Sequence, residues 1–253
     1  MALAVFTPVV AACASEATSG SASTDATTAP TTSDAADAVD GAESAEQVPT
    51  TTSQDDPNAL RWGRANLGFV SAYVLARGNS AAIVDTGTAG SAGAIGETLA
   101  SMGLTYDDVE HLILTHKHGD HAGSTGEVVA MASSATVYAG EADLSDIDHQ
   151  PITGLTGGED VFGFEMIATP GHTAGHMAVI DHQVGLLVAG DAIFTSDGGA
   201  GEGPERFFDD VPESRESIRR MAELSFNTLL VGHGEPIEGG ADTAVADLAA
   251  SFS

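Results

Sequence analysis

One heptapeptide constrains this chain more than any other stretch: Thr115-His116-Lys117-His118-Gly119-Asp120-His121. The apolar run Val109-Glu110-His111-Leu112-Ile113-Leu114 before it reads as a buried strand, and the Gly/Ala segment after it as the start of a helix. Active sites of layered α/β folds gather just past the carboxyl ends of strands, where this loop falls. In an extended loop alternate side chains share a side, so His116 and His118 face one ion together. Asp120 and His121, at the turn into the next helix, point elsewhere and are placed for a second ion. Imidazole and carboxylate without thiolate suit zinc, iron or manganese.

The strand-then-polar-residue rhythm recurs along the chain. Residues 67–77 and 81–84 predict two strands joined at Gly78-Asn79, the second closed by Asp85-Thr86-Gly87. A helix is expected from about 92 to 102, ended by Gly103. After the His loop come a helix near 125–133 and a short strand at 136–138. A strand at 163–169 runs into Thr169-Pro170-Gly171-His172-Thr173-Ala174-Gly175-His176, and strands near 178–180 and 185–189 lead to Gly190-Asp191. A loop rich in Gly and acid follows at 196–210, then a helix at 212–224, a strand at 228–231 ending in Gly232-His233-Gly234, and a last helix at 240–251.

The folded part is expected to be one domain over residues 59–253. Residues 1–13 form a short apolar run ending at Cys13, the only cysteine. The run is too short to cross a bilayer and resembles a signal segment, with Val10-Ala11-Ala12-Cys13 similar to a lipobox whose cysteine is lipidated. Residues 14–58 hold almost no large apolar side chain and nine acids with no base between them. Such a segment cannot bury enough surface to offset its ordering entropy, and reads as a disordered acidic tether. The expected location is therefore the cell envelope, with membrane contact only through a lipid on Cys13. The alternative is a cytoplasmic chain whose first residues are not a signal.

Net charge is −29, from 37 acids against 8 bases, and Lys117 is the only lysine. No basic patch can displace counterions from phosphates, so nucleic acid is not an expected partner. The partner expected is a small-molecule substrate.

Four stations together resemble the metallo-β-lactamase-fold superfamily of metallo-hydrolases: Thr-His-Lys-His-Gly-Asp-His at 115–121, Gly-His-Thr at 171–173, Gly-Asp at 190–191 and Gly-His-Gly at 232–234. The resemblance covers about residues 60–240 and implies an α/β fold, a four-layer αβ/βα sandwich of two mixed sheets with outer helices. It further implies that His116, His118 and His172 hold one metal, that Asp120, His121 and His233 hold a second, and that Asp191 bridges them. Asp85 matches an acid that orients a ligating histidine. His176 matches a pocket-side histidine that is not a ligand. His111, His149 and His182 fit no station.

The chemistry implied is that of a metallo-hydrolase with two Zn2+ ions. Ions about 3.5–4 Å apart hold a water between them and lower its pKa towards ~7, giving a bridging hydroxide that attacks a polarised carbonyl. Asp120, besides ligating, would pass the nucleophile's proton to the leaving group. A bridging carboxylate at Asp191 argues against a β-lactamase, and the chain is most similar to the glyoxalase II-like and lactonase-like branches. About 20 residues follow His233, and the helical substrate domain of glyoxalase II is not expected. Phe194 stands where lactonases carry a tyrosine, and has no hydroxyl to donate. The expected substrate is a small ester, thioester or lactone. Two alternatives stand beside it: a mononuclear Fe2+ sulfur (persulfide) dioxygenase on the same ligand pattern, and an anchored metal-binding protein without turnover.

Overall fold

The computed structural model describes Asp56 and residues 58–252; the expected signal segment and the tether up to residue 55 lie outside the described residues. Among the described residues no helix is long and apolar enough to cross a membrane.

The described residues begin with β1 (Arg61–Asn66), β2 (Ser71–Arg77) and β3 (Ser80–Val84), followed by α1 (Ala92–Ser101), β4 (Val109–Leu114), α2 (Thr125–Met131), β5 (Thr136–Gly140) and β6 (Thr153–Leu155). These six strands form one sheet in sequence order, antiparallel across β1–β2–β3 and parallel from β3 to β6. Then come β7 (Asp160–Val161), β8 (Phe164–Ala168), β9 (Met177–Asp181), β10 (Leu186–Val188), the hairpin β11 (Phe194–Ser196) and β12 (Gly199–Gly201), α3 (Val211–Met221), β13 (Thr228–Leu230), β14 (Ile237–Glu238) and α4 (Ala241–Ser251). The second sheet runs β14-β13-β10-β9-β8-β7, with β10 and β13 its parallel pair.

The alternation of strand side chains divides the core into three layers of apolar contact. In β2, Ala72, Val74 and Ala76 join Ile95 and Leu99 of α1, while Tyr73 and Leu75 turn inward. There they meet Met177 and Val179 of β9 and Leu230 of β13. On the far side Ala178, Ile180 and Leu229 pack under Ile218 of α3 and Val245 of α4. The result is the expected α/β sandwich: helix, sheet, sheet, helix.

Helix ends follow local chemistry. Gly103, at φ 77°, closes α1 and lets Leu104 N–H donate to Leu99 O. The Asp210 carboxylate caps α3 by accepting from Glu213 N at 3.0 Å, with Pro212 in the first turn and Arg219 and Arg220 in the last.

The structure differs from the sequence reading at both ends of the first hairpin. β1 was not expected, because Trp62-Gly63-Arg64 lacks clean alternation on a half-exposed edge strand. Residues 67–70, expected as strand, are instead the β1–β2 turn, with Gly68 at φ 94°. The 196–210 loop likewise contains β12 and a 3-10 turn at Glu205–Phe207.

Candidate metal centre

The metal-type side chains come from carboxyl ends of strands in both sheets and meet at one edge of the sandwich. β3 ends at Asp85, β4 at the 115–121 loop, β8 leads to His172, β10 to Asp191 and β13 to His233. Two glycines admit this convergence. At Gly232 a Cβ would lie 2.2 Å from Asp191 Oδ1 and 2.5 Å from His121 Cε1. At Gly171, φ 130°, it would lie 2.2 Å from the Ser214 backbone nitrogen, so the first turn of α3 can press on the His172 loop.

Three imidazole nitrogens close on one point: His118 Nδ1 is 3.0 Å from His116 Nε2 and 2.9 Å from His172 Nε2. Beside them His233 Nε2 lies 3.3 Å from Asp120 Oδ2 and 3.4 Å from His121 Nε2. Asp191 stands between the two groups, with Oδ1 3.2 Å from His121 Nε2 and Oδ2 3.4 Å from His172 Nε2 and 3.2 Å from His233 Nε2. All seven residues named from the sequence are therefore brought together, and each of the sets His116/His118/His172, His116/His121/Asp191 and Asp120/His121/His233 could hold an ion.

Hydrogen bonding on the outer side of the rings fixes which nitrogens point inward. His121 Nδ1–H donates to Asp85 Oδ2 at 2.8 Å, and His233 Nδ1–H to Phe69 O at 2.7 Å. Thr115 Oγ1 donates to Asp85 and accepts from His116 Nδ1–H at 3.0 Å. Each ring, assigned in this way, aims a bare Nε2 lone pair at the centre. In its neutral form His121 would face Asp191 Oδ1 acceptor to acceptor, so this buried pair calls for a positive charge, a proton or a cation, between them. A cation between them satisfies both. The nitrogen spacings sit a few tenths below the edge of a tetrahedron with bonds of about 2.0–2.1 Å, so the donor set fits zinc or another imidazole-binding divalent ion.

Electrostatics agree. Burial disfavours charge on His121 and His233, yet Asp191, Asp85 and Asp120 outweigh it, driving His121 well above the ordinary imidazole value and His233 to about 10. Burial and neighbouring imidazoles hold His116 well below it and His172 at about 4, although Asp191 opposes both. Burial likewise works against the Asp191 charge, and the surrounding imidazoles, His121 first, hold its carboxyl well below the usual range all the same. The carboxylates take up positive charge from whatever supplies it.

Asp85 sits at φ 63°, left-handed backbone that few side chains other than Asn and Asp tolerate, at the point where it reaches His121 and Thr115. His176 reaches the site from beneath: its Nε2 accepts the Asp191 backbone N–H at 3.1 Å and its Nδ1 lies 2.7 Å from Thr169 Oγ1. With both nitrogens engaged, it is not placed to ligate. Over the site opens a cleft of about 620 Å³, whose apolar lining is Phe69, Phe194, Pro204 and Phe207. Phe194 stacks on His233 with centroids 5.1 Å apart, and Phe69 also stacks on that ring at 5.9 Å. Phe208 packs edge-on against His172 instead. His111 and His182 belong to other surroundings, the first against Tyr138 and Phe162, the second beside Glu165.

Sequence reasoning missed two residues that organise the site. Phe69 falls in a run expected as strand, whereas the hairpin turn carries it to His233. Asp143, fully buried, accepts from Lys117 N at 3.0 Å, Thr173 Oγ1 at 2.6 Å and Gly175 N at 2.9 Å. It ties the loop of His116 and His118 to the loop of His172, but its place 27 residues beyond His116 carries no signal in a single sequence.

Residues 65–233 match the model of the metallo-beta-lactamase superfamily. The chain is 29% identical over 197 residues to the Bacillus subtilis protein YobT, covering 66% of this chain and 83% of that one. It is 35% identical over 147 residues to hydroxyacylglutathione hydrolase from Serratia proteamaculans, covering 56% of this chain and 53% of that enzyme. The match thus spans about half of the hydrolase's length. Among solved structures, a metallo-beta-lactamase family protein from Thermus thermophilus superposes with a TM-score of 0.60 at 25% identity, over 76% of this chain and 78% of that one. With its sandwich fold and its edge cluster of His and Asp, the chain belongs to the metallo-beta-lactamase superfamily.

Proposed function

We propose that the chain is a hydrolase that holds two zinc ions and cleaves a small ester, thioester or lactone. The observation that carries this reading is Asp191, whose two oxygens face His121 on one side and His172 and His233 on the other. A carboxylate so placed would be shared between the group His116/His118/His172 and the group Asp120/His121/His233. Two such ions supply hydroxide near neutral pH and polarise a carbonyl oxygen.

The remaining work falls to the chain's own side chains. Asp120 is half-buried at the cleft floor, and the His233 hydrogen bond first among its neighbours holds its carboxyl below the usual range, so it is ionised and can accept a proton. Asp85 and Thr115 keep His121 and His116 in the tautomers that leave Nε2 free. Phe69, Phe194, Pro204 and Phe207 give the cleft an apolar side away from the ligands. Likeness to hydroxyacylglutathione hydrolases supports ester-type chemistry.

The test is hydrolysis of activated esters, thioesters and lactones by the purified chain before and after chelation. Turnover that disappears with the metal and returns with zinc supports the hydrolase. Metal bound without turnover of any of them supports a non-catalytic metal-binding protein. The Cys13 anchor is a separate proposal, tested by mass spectrometry of the mature N-terminus for a lipid on that cysteine.

A further inference from the structure

The cleft above the site has an unusual division of labour. Its polar side chains are those of His118, Asp120, His172, Asp191 and His233, all of which face the metal positions. The rest of its lining is Phe69, Gly119, Phe194, Pro204 and Phe207. Among the described residues, no side chain of the lining is left to pair with a charge on a substrate, and no Lys or Arg contributes to it. Of the cations next to it in sequence, Lys117 pairs with Asp146 at 2.9 Å and Arg206 lies over the Phe207 ring, 4.4 Å from its centroid. Meanwhile the aromatic surface is left open: Phe69 is 65% exposed and Phe207 50%.

Such surface gains from covering by an apolar group, whereas a charged group brought there is stripped of water with nothing in return. A net charge of −29 adds long-range repulsion of anions. We infer that the cleft selects an uncharged acyl compound with an apolar chain or ring, laid across Phe69, Phe194 and Phe207, and discriminates against thioesters of anionic carriers such as glutathione. This rests on the hydrolase reading above and goes further, because it sets the chain apart from the hydroxyacylglutathione hydrolases it is similar to. Phe207 is the cleanest specificity-determining position, since it lines the cleft without stacking on His233 or His172.

The experiment compares hexanoyl-N-acetylcysteamine with S-hexanoylglutathione, which share the acyl group and the reacting bond and differ in the carrier, a small neutral amide in one and a net anionic tripeptide in the other. Assays in 0.5 M salt screen long-range repulsion, so that any preference reports the cleft. The expected kcat/KM is at least tenfold higher for the neutral thioester. It should also rise about fourfold per methylene from acetyl to hexanoyl in the N-acetylcysteamine series, as expected for burial of each CH2. Phe207→Ala should flatten that rise while metal content stays the same. Equal or better turnover of the glutathione thioester, or no dependence on chain length, overturns the inference. If neither thioester is cleaved, calorimetry with two unreactive probes decides the inference alone, and the hydrolase reading fails only if activated esters and lactones are not cleaved either. Binding of N-butylhexanamide but not S-hexylglutathione upholds it; the reverse, or no binding of either, overturns it.

Discussion

Asp85 Oδ2 accepts the His121 Nδ1–H at 2.8 Å, and the same carboxylate takes the Thr115 backbone N–H at 2.7 Å. One acid at the end of β3 therefore sets the ring that faces Asp191 and braces the start of the loop that carries His116 and His118. Replacing it with asparagine puts an NH2 group where an acceptor is needed. Asp85→Asn is expected to weaken metal retention about 10–100-fold, the scale for groups that orient metal ligands. Competition with a chromogenic zinc chelator measures this; unchanged retention would show that the contact does not orient His121.

Asp143 is the corresponding brace for the other group. Asp143→Ala leaves Lys117 N, Thr173 Oγ1 and Gly175 N without their acceptor in a buried position. Hydrogen bonds to a charged group contribute roughly 1.5–3 kcal/mol each, so the loss should be about 3 kcal/mol or more. Urea denaturation should show it as a lower midpoint, and metal should leave the His116/His118/His172 group first.

Tyr73 joins the two sheets through its hydroxyl, which donates to Val231 O at 2.8 Å in the buried core. Burial pushes its pKa up to about 12, against an ordinary value near 10. The unfolded chain then loses that proton first as pH rises, so this contribution is intact below pH 10 and is lost between about 10 and 12. Tyr73→Phe should cost about 1 kcal/mol at pH 8. The gap between wild type and variant should narrow above pH 10, read from denaturation at each pH.

Charge should make stability depend on salt. With 37 acids against 8 bases, most carboxylates have no partner to offset their mutual repulsion. Raising salt from about 0.1 to 2 M should raise Tm, because the Debye length shrinks from about 10 Å to under 3 Å. A melt unchanged over that range would sink this account of the surface.

The main strands and the convergence of the His and Asp side chains were legible because each follows a pattern or a spacing. The apolar run at 67–77 contains β2, and the 115–121 loop followed a strand whose bounds, 109–114, the structure reproduces. The hairpin at 67–70 was not legible, since Leu67-Gly68-Phe69-Val70 is as apolar as a strand and only the φ 94° of Gly68 makes it a turn. The same misreading hid Phe69. Asp143 was invisible for a different reason. Its partners Lys117, Thr173 and Gly175 are far from it in sequence, and two of them bond through backbone N–H groups that every loop carries.

The central claim is that Asp191 is shared by two metal ions, and metal content per chain tests it most directly. Elemental analysis of the purified full chain, without added metal, should give two zincs per chain, falling to one in His233→Ala. About one iron per chain in the wild type, unchanged by His233→Ala, would contradict the two-zinc centre and point instead to oxygen-dependent oxidation of a sulfur compound.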